Sequence, residues 1–474
     1  MLMLNRITLE SIQSLVWSPP LLLFLCLVSL YFTFTLKGLQ LRYLGYSLKT
    51  ALKREKAETG AAGDITNFQA LMTSLAAAIG TGNIAGVATA LATGGMGALF
   101  WMWVIALLGM ILKYSEALLA VKFRIKNAKG EMSGGPMYYL SRGLGWHGMA
   151  MSFAVFGVLA TLGTGNMVQV NSVADAIGYL FGVPRINTGI TLALITSIVL
   201  LGGVKSIGRV AEVFVPLMAG LYLAGGLFII CINFDKVPST LAYIVGCAFS
   251  GEAASGGFLG AGISLTIQSG IARGIFSNEA GLGTSSIASA AAKTKEPGTQ
   301  GMISMTSAFI STIIVCSVTG LVIGVTGVLG SIDSMSGKLL NGAPMAMQAF
   351  ESQLQGGGFI VSFGLIFFAY STILGWAYYG EKCLEFIGGP RLIVPFRFIY
   401  VFCMIPAATL DLESVWTIAD ITNGLMMIPN LLGLLALRKV IISETSEFCK
   451  KIANEERKQQ SSLAQYPSSK IVPS

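Results

Sequence analysis

The stretch "SLAAAIGTGNIAGVATALATGG", Ser74 to Gly95, decides how this chain is read. It is apolar enough for a membrane interior, yet Gly80, Thr81, Gly82, Asn83 and Gly86 fall together in its middle. Clustered glycine loosens a helix, because glycine loses the most conformational freedom on folding. At membrane depth, backbone N–H and C=O groups must be satisfied, so unwound peptide survives only where it lines a cavity or binds something. A helix broken there offers free N–H groups and a positive dipole end on one side of the break. On the other side it offers free carbonyls and a negative end. A zwitterion and a monovalent cation together satisfy both.

The rest of the chain supplies the membrane. Of its 474 residues, 54% are hydrophobic and only 11% charged, with a mean hydropathy of +0.72. A soluble protein carries charge at about a quarter of its positions. Apolar runs of about 20 residues, the length that crosses a bilayer core, recur throughout. The sequence predicts an all-α polytopic membrane protein of about eleven spans. They cover Pro19–Leu36, Thr66–Thr93, Met96–Phe123, Met149–Phe181, Ile186–Val204, Val210–Ile232, Gly262–Ala291, Ile303–Leu329, Gly358–Ile387, Val394–Ala408 and Val415–Leu437. No A-x-A-like cleavage site follows the first span and a basic segment does, so it reads as a retained helix.

The net charge of +8 sorts by side rather than pointing to nucleic acid. With the N-terminus outside, Lys and Arg gather in the internal loops and the C-terminal tail. Only Arg6, Arg185, Lys236 and Lys338 lie outside, while Lys113 and Arg273 fall within spans. That is a strong positive-inside bias. The expected location is the cell membrane, multi-pass, with the C-terminus cytoplasmic. The seven cysteines are scattered without a C-x-x-C pair, and His147 is the only histidine. A zinc site, a disulfide framework or a hydrolase is hard to build from these residues.

A second interrupted span reads "SGIARGIFSNEAGLGTSS", Ser269–Ser286, with Gly274, Gly281 and Gly283 around Phe276, Ser277, Asn278 and Glu279. Each interrupted span opens a group of five. Five is odd, so the second group starts on the opposite side, which makes an inverted 5+5 repeat with two discontinuous helices. The expected division is a leading helix and amphipathic basic segment at 1–65 and a first repeat at 66–232. An external loop at 233–261, a second repeat at 262–442 and a disordered tail at 443–474 follow. Glycines spaced like Gly82 and Gly86 also serve tight helix packing. Two such stretches, at matching positions of two halves and each with an asparagine, favour broken helices. The Gly80-x-Gly82-x-x-x-Gly86 spacing follows no strand, so a dinucleotide loop is excluded.

Several motifs are similar to those of the alanine or glycine:cation symporter family. They are "GTGNIAGVATA" (Gly80–Ala90), "GGMGALFWMWVIALLG" (Gly94–Gly109), "MSGGPMYYLSRGLG" (Met132–Gly145), "GIFSNEAGLGTSS" (Gly274–Ser286) and "GWAYYGEK" (Gly375–Lys382). The similarity runs from about Asn67 to Lys439 and implies a leucine-transporter-type fold, which agrees with the repeat read from span counting. It further implies that amides at Thr81 and Gly82, with Asn83 beside them, hold a substrate carboxylate. Carbonyls of Ala76, Ile79 and Phe368 with the hydroxyls of Ser371 and Thr372 would bind sodium, and such oxygens suit a monovalent cation. Trp376, one turn beyond Thr372, and Phe276 would wall a pocket for a small side chain, with Asn278 and Gln169 as hydrogen-bond partners. Trp376 also reads as an interfacial tryptophan, and Gln169 and Asn166 as plain interhelical contacts.

Charges inside the spans complete the reading. Lys113 and Glu116 are three apart on one helix and would pair locally. Arg273 and Glu279 bracket the second break and would pair across it, as a gate or a structural tie. The resemblance implies sodium-coupled import of alanine or glycine by alternating access, with no cofactor beyond the coupling ion. A proton-coupled carrier of the same fold is the alternative, and a channel or membrane enzyme a more distant one. The sequence leaves oligomeric state open.

Overall fold

The computed structural model describes residues 11–53, 62–250, 262–332, 339–410 and 412–464, together with residues 9 and 337. Its helices are α1 (Pro19–Thr35), α2 (Leu44–Leu52), α3 (Asn67–Ala78), α4 (Ala85–Gly94), α5 (Gly97–Lys122), α6 (His147–Leu162), α7 (Val168–Phe181), α8 (Arg185–Leu201), α9 (Gly203–Ile232) and α10 (Val237–Ser250). Then come α11 (Ile263–Asn278), α12 (Ser285–Ala290), α13 (Pro297–Ala308), α14 (Ser317–Thr326), α15 (Gly342–Glu351), α16 (Gly357–Gly388), α17 (Ile393–Ala407), α18 (Leu412–Ala436) and α19 (Arg438–Ala464). A two-stranded antiparallel hairpin, β1 (Ile125–Lys126) and β2 (Met132–Ser133), follows α5.

Among the described residues, eight helices are long and apolar enough to cross a membrane. The other three expected spans are α8, which has 17 residues, and the two interrupted segments. Both interruptions are present. The first begins cleanly: Thr66 and Gln69 form a reciprocal capping box at the start of α3. α3 stops at Ala78, a single 3₁₀ turn spans Thr81–Asn83, and α4 resumes at Ala85. The second lies later than the sequence suggests. Gly274 is helical within α11, where an added Cβ would sit 2.5 Å from Ile105 Cγ2, so it serves close packing against α5. The helix ends at Asn278, and Glu279 adopts a left-handed conformation (φ +57°) before Gly281 and Gly283, also at positive φ.

The two interrupted segments run antiparallel, α11 beside α4 and α12 beside α3. The Thr266 hydroxyl donates to the Gly94 carbonyl at one end (2.8 Å), and the Lys293 amide donates to the Ile65 carbonyl at the other (2.8 Å). The breaks therefore face each other at the middle of the pair. α5, α13 and α16 enclose them, and α16 alone buries Phe368, Ser371, Thr372, Trp376 and Tyr379. Two helical segments loosen into π turns beside the breaks, Gly163–Met167 between α6 and α7, and Phe309–Cys316 between α13 and α14. Such turns redirect side chains and often mark functional sites.

Two regions differ from the sequence reading, and a third adds detail to it. The connection at 233–261 contains α10, which packs on α5, and its residues 251–261 lie outside the described ones. The segment from Ser443, read as disordered because it is polar, is helical to Ala464. It is tied down by Tyr114 donating to Thr445 (3.1 Å), by a Lys122–Glu444 ion pair and by Phe448 against Gly298. Residues 465–474 of that segment lie outside the described ones. The amphipathic segment after α1 forms a short turn at Leu39–Arg42 and then α2, which lies on α13; its residues 54–61 are likewise undescribed.

Candidate functional site

The first break gathers its oxygens at one point. The Thr372 hydroxyl lies 2.8 Å from the Ala76 carbonyl, 2.9 Å from that of Phe368 and 3.4 Å from that of Ile79. The Ser371 hydroxyl is 2.9 Å from Phe368 O and 3.4 Å from Ala76 O. Three carbonyls thus compete for two hydroxyl hydrogens, and Ala76 stands in the last turn of α3, where carbonyls lack helical partners. The point is rich in acceptors and neutral. Among the described residues no cluster of His, Cys, Asp or Glu offers a transition-metal site.

Gly80 adjoins this set, since an added Cβ would lie 2.5 Å from Thr372 Oγ1 and 3.0 Å from Gln169 Oε1. The Thr81 amide donates to Gln169 Oε1 (3.2 Å), while Gln169 Nε2 donates to the Thr164 carbonyl in the π turn (3.0 Å). Asn83 is consumed by the fold. Its Oδ1 accepts the Gly80 amide (3.1 Å), and its Nδ2 donates to Ser277 Oγ and to the Ser311 carbonyl, both at 2.8 Å. It clamps one break to the other and to the second π turn.

Aromatic rings close the space around Gly82. An added Cβ there would lie 2.6 Å from Phe276 Cδ1, and Phe276 packs at a tilt against Trp416, 4.6 Å between centroids. Val168, Val415 and Ala419 join these two rings in a small separate apolar cluster. On the other side, Trp376 donates to the Ala77 carbonyl (3.3 Å) and meets Tyr379 edge-on at 5.8 Å. Trp376 is fully buried against Gly165, so it is no interfacial tryptophan.

Beyond Phe276 and Trp416 stands an ion pair. Arg273 Nη2 lies 2.6 Å from Asp420 Oδ2, and its guanidinium sits 4.5 Å over the Trp416 ring. Gln13 Nε2 (2.7 Å) and Trp17 Nε1 (2.8 Å) donate to the side chain and the carbonyl of the same aspartate. Two cavities, about 500 and 450 Å³, open at this end; Arg273 and Asp420 line the first and Trp416 the second. The opposite end is tied shut. Arg124 donates to the carbonyls of Ala62, Ala290, Ala292 and Thr294 at 2.7–3.0 Å, capping the C-terminus of α12.

Residues 2–462 match the model of the sodium:alanine symporter family. The chain belongs to this family. It is 47% identical to the sodium/alanine symporter AgcS of Methanococcus maripaludis over 96% of this chain and 98% of that one. It is 35% identical to the probable sodium/glutamine symporter GlnT of Bacillus subtilis, over 92% of this chain and 89% of that one. In fold it resembles the crystal structure of MhsT in complex with L-phenylalanine, with a TM-score of 0.60 at 13% identity, covering 82% of this chain and 93% of that one. The protein is a multi-pass membrane transporter of leucine-transporter-type fold, not an enzyme.

The transporter departs from its sequence reading at three places in this site. Asn83, expected beside the substrate, is committed to holding the breaks together. Arg273 pairs with Asp420 rather than Glu279, because the left-handed turn at Glu279 carries its carboxyl away to the Thr284 hydroxyl (3.0 Å). Lys113 and Glu116 form no ion pair; Lys113 Nζ donates to the Asn278 carbonyl (2.7 Å), and Glu116 accepts from Asn430 (2.8 Å). Asn278 caps the turn, its Oδ1 accepting the Ala280 amide (2.9 Å), and its Nδ2 has no partner. Trp416 and Arg124 were missed. An intramembrane aspartate four residues after Trp416 was the available signal for the first.

Proposed function

We propose that the protein imports a small neutral amino acid, alanine or glycine, together with sodium, by alternating access. The observation that carries this reading is the convergence of Ala76, Ile79 and Phe368 carbonyls with the Ser371 and Thr372 hydroxyls beside the first break. Five neutral oxygens and no carboxylate suit a monovalent cation rather than a transition metal at a site inside the membrane. Sodium there takes over the carbonyls that two hydroxyl hydrogens cannot serve.

The substrate binds next to it. Its carboxylate takes the Thr81 and Gly82 amides at the positive end of the break, with Gln169 Oε1 giving up the Thr81 amide to it. Phe276 and Trp376 limit the side chain to about a methyl group, and the unpartnered Asn278 Nδ2 is a further donor. Sodium couples to substrate because both favour the same arrangement of the break. The basic residues around Arg124, Lys122 and the α19 segment support a cytoplasmic location for that end, with the Arg273 end outside.

Reconstituted protein in proteoliposomes tests this. An inward sodium gradient should accumulate labelled alanine or glycine, with D- and L-alanine and serine as graded competitors and larger residues excluded. Replacing Ser371 and Thr372 together by alanine should remove the sodium dependence and lower uptake tenfold or more, about 1.4 kcal/mol in coupling. Uptake that persists undiminished and still sodium-dependent in that variant would show that these hydroxyls hold no coupling sodium.

A further inference from the structure

The second break holds a group of charges that the sodium site does not use. Lys113, Glu116 and Glu279 are all buried, with at most 1% of any of them exposed. Lys113 Nζ serves the Asn278 carbonyl at the C-terminal end of α11, and both carboxylates lie close enough to act on it electrostatically. Each carboxylate has one engaged oxygen. Glu116 Oε1 accepts from Asn430 Nδ2, and Glu279 Oε2 accepts from the Thr284 hydroxyl. Their other oxygens, Glu116 Oε2 and Glu279 Oε1, accept no hydrogen bond. The nearest indole, that of Trp376, donates to Ala77 O instead.

The charges do not cancel. One ammonium against two carboxylates leaves one negative charge, enclosed in protein at membrane depth, where an uncompensated ion is strongly unfavourable. Among the described residues, the other ionisable groups facing the cluster are the phenols of Tyr139, from the turn after Gly135, and Tyr379 of α16. Neither supplies a positive charge. α1 contributes only the apolar Leu25, against Gly281, and α18 the neutral Asn430.

We propose that Glu279 binds one proton on its free Oε1 in this closed arrangement, making a proton site separate from the sodium oxygens. The proton joins an existing carboxylate and comes from water, so no further reactant is needed. Glu279 is itself the hinge of the break. When the backbone between Asn278 and Ser285 rearranges, its carboxyl leaves Lys113 and the cluster, and the proton is held or released with access. This deepens the symport reading by adding a second coupled ion at the opposite interrupted helix.

Infrared spectroscopy of the purified protein tests it without transport. Wild type should show the C=O stretch of a protonated carboxylic acid, shifted on deuterium exchange; Glu279→Gln should lose the band and Glu116→Gln should keep it. If E279Q does not fold, Glu279→Asp should retain the band at a shifted frequency. No such band in wild type, its survival in E279Q, or its loss in E116Q alone overturns the proposal. A wild-type band that vanishes when sodium replaces potassium assigns the charge to a second sodium ion and also overturns it. Failure of alanine uptake with the band intact would count against the proposed substrate alone.

Discussion

At the scale of single residues, Gly82 shows how little room the site allows. A methyl group there meets Phe276, which Trp416 backs with its ring tilted against it. Overpacking of this kind costs roughly 1–3 kcal/mol. Gly82→Ala should therefore lower alanine uptake about tenfold, and adding Phe276→Ala should restore part of it while admitting larger substrates. Competition assays in proteoliposomes check both, and an unchanged G82A would remove Phe276 from the pocket. Much of this was legible in the sequence, because a glycine cluster in an apolar run has few physical readings. What Asn83 does was not. A polar side chain beside a break serves a ligand or the fold equally well on paper, and only the positions of Ser277 and Ser311 decide it.

At the scale of elements, α11 and α18 carry the two layers that stand between the first break and the cavities at the Arg273 end. Arg273 and Phe276 lie three apart on one helix, Trp416 and Asp420 four apart on the other, so each pair shares a face. The layers cooperate through the guanidinium over Trp416. The segment before α1 adds a latch, since Gln13 and Trp17 both hold Asp420. Asp420→Asn removes the charge from a pair whose side chains are only 13% and 4% exposed. Bound alanine should then leave toward the Arg273 side about tenfold faster, corresponding to ~1.4 kcal/mol. Stopped-flow release from preloaded protein measures this, and an unchanged rate would make the pair purely structural. Span counting found these helices, but it could not pair Arg273 with the right carboxylate. The nearest one in sequence, Glu279, is turned away by a backbone conformation that only the folded chain reveals.

At the scale of the whole molecule, the asymmetry between the two ends sets which state is favoured. The Arg273 end has cavities and the Arg273–Asp420 pair, while the Arg124 end is bound by four carbonyl contacts, one from Ala62 and three from the end of α12 and the residues after it. On the proposed reading, sodium at the first break would favour the same arrangement, because α3, which supplies Ala76, packs beside α12. The two effects therefore add, and weakening one must be made up by the other. Arg124→Ala frees the α12 end, so sodium has to spend part of its binding energy on closing it. The apparent sodium affinity for alanine binding should fall about tenfold, equivalent to ~1.4 kcal/mol, while binding at saturating sodium stays intact. Titrating sodium against labelled alanine on the purified protein measures the shift. An R124A curve that overlays wild type would mean the Arg124 contacts hold the fold without biasing access, and the link between the closed end and the sodium oxygens would be lost.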